Sequence, residues 1–317
     1  VDLSIIIVNW NSFDFTKQCI QSLSGSVGTI EYEVIVVDNA SHRDEAAAIA
    51  DLFPTVKVLA SEQNVGFSWA NNLGFECCEG ANILFLNPDT VTRGDVIDKM
   101  VGTLNRCKDF GVIGCTILNS DESIQTSCIQ AFPTVSNQLL GIDCLKARWP
   151  SLPIFGIRQL FVAASDPVIE VDVVSGACLM IRREVFERVG KFSTDYFMYA
   201  EEADLCYKVR QAGWRVGFLP GVNIIHFGGQ STNKRESGFS DVMMRESLFT
   251  FFRKFYGMPY ALLYRLGQLM SGMVRIAIMA PLFLIPKFRA KASRVIRKWS
   301  RITGWSITLR NSAMCRS

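Results

Sequence analysis

Three short apolar runs decide the fold: Leu3–Asn9 (LSIIIVN), Glu33–Asp38 (EVIVVD) and Asn82–Asn87 (NILFLN). Each is too short for a typical helix and too continuously apolar for a strand with one wet face. That is the pattern of strands buried on both sides of a parallel sheet. Between them the helical period returns. Phe15–Leu23, Arg43–Phe53 and Trp69–Cys78 read as helices, with Val56–Ala60 as a further strand. A helix over Asp95–Cys107 and a strand over Gly111–Ile117 extend the alternation. This βαβα order predicts an α/β fold, a mostly parallel sheet with helices on both faces.

The turn after the first run reads Asn9-Trp10-Asn11-Ser12 and contains no glycine. A dinucleotide-binding Rossmann unit needs G-x-G-x-x-G there, and a P-loop is missing as well. A nucleotide on this sheet must therefore be held by side chains beyond the carboxyl ends of the strands, where open α/β sheets bind ligands.

From Asn119 to Pro167 the pattern loosens, with scattered Pro, Ser and Gly, and reads as an insertion over the sheet, an acceptor-binding loop region. Order returns with strands at Glu170–Val174 and Gly176–Arg182 and a short helix at Glu184–Val189. A helix from Glu201 to Gly213 follows, then strands at Trp214–Leu219 and Val222–Phe227 and a helix at Asp241–Phe255.

Nearly half of the 317 residues are apolar, enough for a large core. The net charge of +3 conceals an asymmetry. From Ser247 onward there is no Asp or Glu and there are 13 Lys or Arg, leaving 20 basic against 30 acidic residues before it. An acidic body with a basic, apolar tail suits a membrane surface. No motif points to nucleic acid. Arg265 and Arg275 interrupt the late apolar region, and its longest clean run, Ile276–Pro286, is well short of the ~20 residues of a spanning helix. The tail is expected to lie on the membrane; the alternative is a helical pair packing on the body or forming a homodimer. The apolar start, Leu3–Val8, is too short for a signal peptide and lacks a basic flank. Among ten cysteines, Cys115 and Cys178 sit in apolar runs and the neighbours Cys77 and Cys78 cannot bridge without strain, so reduced thiols in a cytoplasmic setting are expected. With only His42 and His226, a zinc site is improbable.

Four stretches carry candidate chemistry. Asp38 ends the second strand, where a carboxylate accepts bonds from a pyrimidine imide or a ribose hydroxyl, or merely caps the next turn. Asp89, in LFLNPDT (84–90), can share Mg²⁺ or Mn²⁺ with a diphosphate; an Asn-Pro-Asp turn alone also explains it. Asn64 and Gly66 open a polar loop and helix start, which suits close backbone approach to a ligand or a plain loop. His226 ends the last strand, followed by Gly228-Gly229 and Ser231-Thr232; imidazole suits Mn²⁺ or a phosphate, though such a histidine is often structural. Finally, DYFMYAEEADL (195–205) opens a helix on Glu201 and Glu202, a place where acids also simply oppose the helix dipole.

Together VVDNAS (36–41), NVGFSWANNLG (64–74), LNPDT (86–90) and the stretch from Val174 to Val216 resemble family 2 glycosyltransferases of the GT-A fold, particularly the rhamnosyltransferase-like branch. The resemblance spans Leu3 to Thr232. It implies a Rossmann-like GT-A domain over residues 1–235 (nucleotide half 1–118, acceptor and catalytic half 119–235) and a helical membrane-associating region over 236–317. It implies that Asp38 contacts the nucleoside with Asn9, Asn11 and Gly66 lining its pocket, and that Asp89 holds the metal; Asn64 and Asn87 are expected to join the nucleotide-sugar site. Asn87 stands where the family's D-x-D element has its first acid. The family base is the Asp of a Glu-Asp pair, and position 202 matches it with glutamate. The implied activity is inverting transfer of a sugar, L-rhamnose from dTDP-rhamnose favoured, to a polyprenyl-diphosphate-linked or glycan acceptor in cell-surface polysaccharide synthesis, on the inner face of the cell membrane. Other donors (galactofuranose, hexosamine) and a non-catalytic nucleotide-sugar-binding scaffold are the alternatives.

Overall fold

A computed structural model describes residues 1–125, 127–140, 168–228 and 237–308. The alternation expected of the first hundred residues is present: β1 (Leu3–Asn9), α1 (Phe13–Leu23), β2 (Tyr32–Asp38), α2 (Glu45–Leu52), β3 (Lys57–Ala60), α3 (Phe67–Phe75) and β4 (Asn82–Leu86). β1 and β4 are buried along their whole length, as continuous apolar runs require. The chain continues through β5 (Thr90–Val91), α4 (Val96–Arg106), β6 (Phe110–Leu118), β7 (Ile129–Gln130) and α5 (Val135–Leu140). Then come β8 (Ile169–Glu170), β9 (Val173–Val174), β10 (Cys178–Arg182), α6 (Arg183–Arg188), α7 (Glu201–Gln211) and β11 (Arg215–His226).

The main sheet runs β3-β2-β1-β4-β10-β6-β11-β5, with β8 on β11. The first four strands are parallel, but β10 is antiparallel to both β4 and β6, so the sheet is mixed. The expected strand over Glu170–Val174 is instead two short ones, β8 in the main sheet and β9 paired with β7 in a separate ribbon. The two strands expected over 214–227 are one twelve-residue strand, β11. Its register against β6 breaks between Leu219 and Asn223, across Pro220-Gly221. Proline and glycine tolerate such an irregularity without ending the strand. Most of the 119–167 insertion lies outside the described residues.

The described residues form two compact units. One holds every strand with α1–α4, α6 and α7; the other holds α5, residues 198–200 and three C-terminal helices, α8 (Ser237–Tyr256), α9 (Met258–Phe283) and α10 (Pro286–Ile307). α9 is continuous for 26 residues, and it is long and apolar enough by length and composition to cross a membrane. Arg265 and Arg275 do not interrupt it, contrary to the sequence expectation. Both lie on its packed side, against α10, which runs antiparallel. Arg275 stacks on Trp299, its guanidinium 4.2 Å from the ring centre. Arg265 is buried, stacks on Trp305, and donates to the carbonyls of Trp305, Ser306 and Thr308. Those are the carbonyls that a helix leaves unpaired at its C-terminus, where a cation also meets the negative end of the dipole.

Arg265→Ala therefore strips α10 of its C-terminal cap and should lower stability by about 2–3 kcal/mol, the scale of a hydrogen bond to a charged group plus the unpaired carbonyls left behind. Arg265→Lys should recover only part, because an ammonium lacks the planar fork. Denaturant midpoints of the three proteins measure both.

Candidate active site

At the end of β2, Asp38 is buried and locked into its own turn. Its Oδ1 accepts from Asn9 Nδ2 and Ser41 Oγ, both at 2.6 Å, and its Oδ2 accepts from the Ser41 N–H at 3.1 Å. Asn9 is fully buried, and its Oδ1 accepts from Thr16 and Ser12. Its side chain is thus a strut for Asp38 more than a pocket wall. Asn11, at φ 52°, accepts from the His42 N–H and joins the same pair of turns. Asn64 accepts from Asn39 Nδ2 and from the Gly66 N–H, each at 3.1 Å. This polar cluster sits beyond the carboxyl ends of β1, β2 and β3, where the topology places a ligand.

Gly66 does a specific steric job. It precedes α3 with φ 85° and ψ 169°, a conformation essentially confined to glycine. A Cβ there would stand 2.5 Å from the Phe197 carbonyl oxygen, and the next N–H, of Phe67, donates to that same oxygen at 2.8 Å. The glycine lets the loop close on the stretch that leads into α7.

The second cluster forms because Pro88 cannot continue the β4 ladder. The chain turns through Asn87-Pro88-Asp89 and re-pairs as β5 with β11, placing Thr90 opposite His226. His226 Nε2 then lies 3.1 Å from Asp89 Oδ1 and 3.4 Å from Asn87 Nδ2. Gln125, which no sequence pattern singled out, fixes the ring. Its Nε2 donates to the His226 carbonyl at 2.7 Å, which leaves its Oε1 as acceptor for Nδ1, 3.0 Å away. Nδ1 must then carry a proton: with Nε2 protonated as well the ring pairs with the Asp89 carboxylate, and with Nε2 bare its lone pair faces that carboxylate. Two electron-rich atoms facing each other invite a cation, and a hydrogen-bonded Nδ1 is the usual arrangement behind a metal-ligating Nε2. Among the described residues no group of three or more His, Cys, Asp or Glu could cage a metal. Asp89 and His226 therefore fit a divalent ion shared with a ligand's own oxygens. Gly228 is the last described residue here; Gly229 and Ser231-Thr232 lie outside the described residues.

The third cluster opens α7. Tyr199 and Ala200 both have positive φ, 73° and 64°, a strained approach of the kind found at functional sites. Glu201 is buried, and its Oε2 has no hydrogen-bond partner among the described residues. Burial first, then the Glu202 and Asp204 charges, hold its carboxyl well above the usual range. Burial also raises Glu202, but less starkly, because its own backbone N–H and the Gln130 amide favour its charged form. Gln130 is brought there by the β7–β9 ribbon. One turn on, fully buried Asp204 accepts from Ser193 Oγ at 2.6 Å and Tyr196 OH at 3.1 Å and pairs with Lys208. It anchors the segment that precedes the glutamates.

The last two clusters meet at the start of β10. The Asn87 N–H donates to the Ala177 carbonyl at 3.0 Å, and a Cβ on Gly176 would lie 3.6 Å from Glu202 Cβ. The Asp89–His226 turn and the glutamate pair thus flank one short stretch of backbone.

Gly66→Ala should destabilise the protein by about 1–3 kcal/mol through backbone strain alone, before the clash with Phe197 is counted. Thermal unfolding measures the loss, and Gly176→Ala, which meets only ordinary contacts, should show almost none.

Comparison with known proteins places these features in a family. The chain is 26% identical over 244 residues to an N-acetylglucosaminyl-diphospho-decaprenol L-rhamnosyltransferase of Mycobacterium tuberculosis, covering 73% of this chain and 78% of the relative. It is 25% identical to the rhamnosyltransferase WbbL of Escherichia coli, over 70% of this chain and 82% of that one. Among solved structures, the mannosyltransferase PcManGT of Pyrobaculum calidifontis, in complex with GDP-Man and Mn²⁺, superposes with a TM-score of 0.56 at 16% identity, covering 96% of this chain and 88% of that one. That likeness agrees with the GT-A expectation for the fold. The sequence pattern of Glycosyl transferase family 2 matches residues 4–190, more than half of the chain, and the chain belongs to that family.

Proposed function

We propose that this protein is an inverting glycosyltransferase that moves L-rhamnose from dTDP-rhamnose to a polyprenyl-diphosphate-linked or glycan acceptor in cell-surface polysaccharide synthesis. It would work at the inner face of the cell membrane. Family membership supports the transferase activity. Transfer of rhamnose is supported by what both relatives are named for, and the lipid-linked acceptor by the name of the mycobacterial one. The observation that carries the mechanism is the convergence of the Asp89–His226 turn and Glu202 on Gly176-Ala177.

In this reading Asp38, with Asn11 and Asn64 beside it, receives the nucleoside. Asp89 and His226 would hold Mg²⁺ or Mn²⁺, which when bound would supply positive charge beside the donor's diphosphate. Glu202 accepts the proton of the attacking acceptor hydroxyl, a contribution of ~10²–10⁴-fold. Glu201 is unsuited to that role. It is the more deeply buried of the two, with an oxygen that has no hydrogen-bond partner among the described residues, and two adjacent acids held above their usual range share a charge unevenly. Burial raises both carboxyls, Glu201 the more strongly, so Glu202 gives up its proton more readily than Glu201. Successive helical residues also point about 100° apart, so the two side chains address different spaces.

Glu202→Gln should fold normally and lower kcat by about 10²-fold or more with little change in KM. Release of nucleotide diphosphate, followed with acceptor and Mn²⁺ or Mg²⁺, is the measurement; near-normal turnover would exclude Glu202 as base. A protein that merely binds nucleotide sugars would show a donor-dependent thermal shift and no release at all.

Glu201 makes a separate pH prediction. A carboxyl raised in the folded state binds its proton more tightly than in the unfolded chain, so stability is lost as pH climbs from the ordinary carboxyl range to the raised value. Glu201→Gln removes that penalty. Its stability should match wild type near ~pH 4 and exceed it increasingly toward neutrality, read as melting temperature against pH, while turnover persists.

A further inference from the structure

α9 is amphipathic in the wrong direction for a helix in water. Every exposed residue on it is apolar, among them Leu262, Leu266, Met270, Met273, Val274 and Ile278, each between 44% and 59% exposed. Its polar residues are turned inward. Arg265 and Gln268 are buried, and Arg275 lies over Trp299. The outward residues recur every three to four positions and form one face. A contiguous apolar face of this kind marks an interaction surface. Gly257, at φ 86° and ψ 168°, opens the helix and separates it from α8.

Length and composition alone would let α9 span a bilayer. Its partner forbids that. α10 runs back along α9, with Arg265 on its last turn, Thr303 Oγ1 against Gly272 and Trp299 against Arg275. The exposed residues of α10 include Lys291, Arg294, Arg297 and Arg301. A spanning α9 would carry these charges into the hydrocarbon, at a cost that such a cluster makes prohibitive. At the level of the headgroups the same charges become attractive, because anionic lipids draw basic residues. With no acidic residue from Ser247 onward, nothing on these helices opposes them.

We propose that the outward face of α9 docks on an anionic bilayer, with α9 lying in the interface beside α10 instead of crossing. This deepens the membrane location proposed above and rests on it only for its biological sense. A second copy of the chain could in principle cover the same face, but the run of cations along α10 favours lipid phosphate over an equally basic copy.

The test is flotation of the full-length protein with vesicles of phosphatidylcholine, with and without phosphatidylglycerol. The wild type should float with the anionic vesicles and be released by alkaline carbonate. Leu266→Glu with Met270→Glu should cut partitioning at least about tenfold with an unchanged melting temperature, since both residues are exposed. Arg294→Gln with Arg297→Gln should weaken binding to anionic vesicles only and reduce its salt dependence. The proposal is overturned if the glutamate variant floats like wild type, or if carbonate leaves the protein in the vesicles, which means a span. It is equally overturned if wild type fails to float and light scattering shows a dimer that the glutamate variant dissociates. A donor-induced thermal shift on the same samples reports on the transferase reading independently.

Discussion

One antiparallel strand in the middle of the sheet sets where the chemistry can happen. β10 lies between β4 and β6 and runs against both, so its first residue sits opposite the last residue of β4. The start of β10 therefore emerges at the carboxyl edge, beside the point where Pro88 ends β4. Had β10 been parallel, Gly176 and Ala177 would lie at the far edge of the sheet. The Asn87 N–H would lose the Ala177 carbonyl, and Glu202 would lose its open neighbour at Gly176. The reversal costs no burial, since every residue of β10 is buried. Its side chains serve the core while its first turn serves the site.

The same reasoning explains what the sequence could and could not tell. β1, β2 and β4 were legible because strands buried on two faces write themselves as unbroken apolar runs. Asp38, Asp89 and the glutamates were legible because they follow such runs or open a helix. Gln125 and Gln130 were not. Gln125 lies in a stretch without regular pairing, Gln130 belongs to a two-residue strand, and both act through partners distant in the chain. No period exists over so short a segment. Asp204 was hidden differently: an acid in a first helical turn needs no further explanation, yet it is fully buried and ties down Ser193 and Tyr196.

The C-terminal helices show a related limit. Counted along the chain, Arg265 and Arg275 break an apolar run. Placed on the helix, they share the face that meets α10, and the run is apolar on the face that matters. Hydropathy averaged along a segment is blind to direction, whereas the energetic cost of a charge depends on what it faces. Arg265 faces three carbonyls and two aromatic rings, so its burial is compensated and its contribution is to join two helices.

Direction also bears on the glutamate at position 202. A side chain one methylene longer than aspartate would normally overshoot, and a misplacement of about 1 Å can cost ~10²-fold in rate. Gly176 presents no side chain to Glu202, and a Cβ there would lie 3.6 Å from Glu202 Cβ. Gln130 supplies a donor that favours the charged form, while Glu201, one residue earlier, is buried with an oxygen that has no hydrogen-bond partner among the described residues. A glutamate set beside a glycine, and ionised more readily than its buried neighbour, is consistent with the proton transfer proposed above.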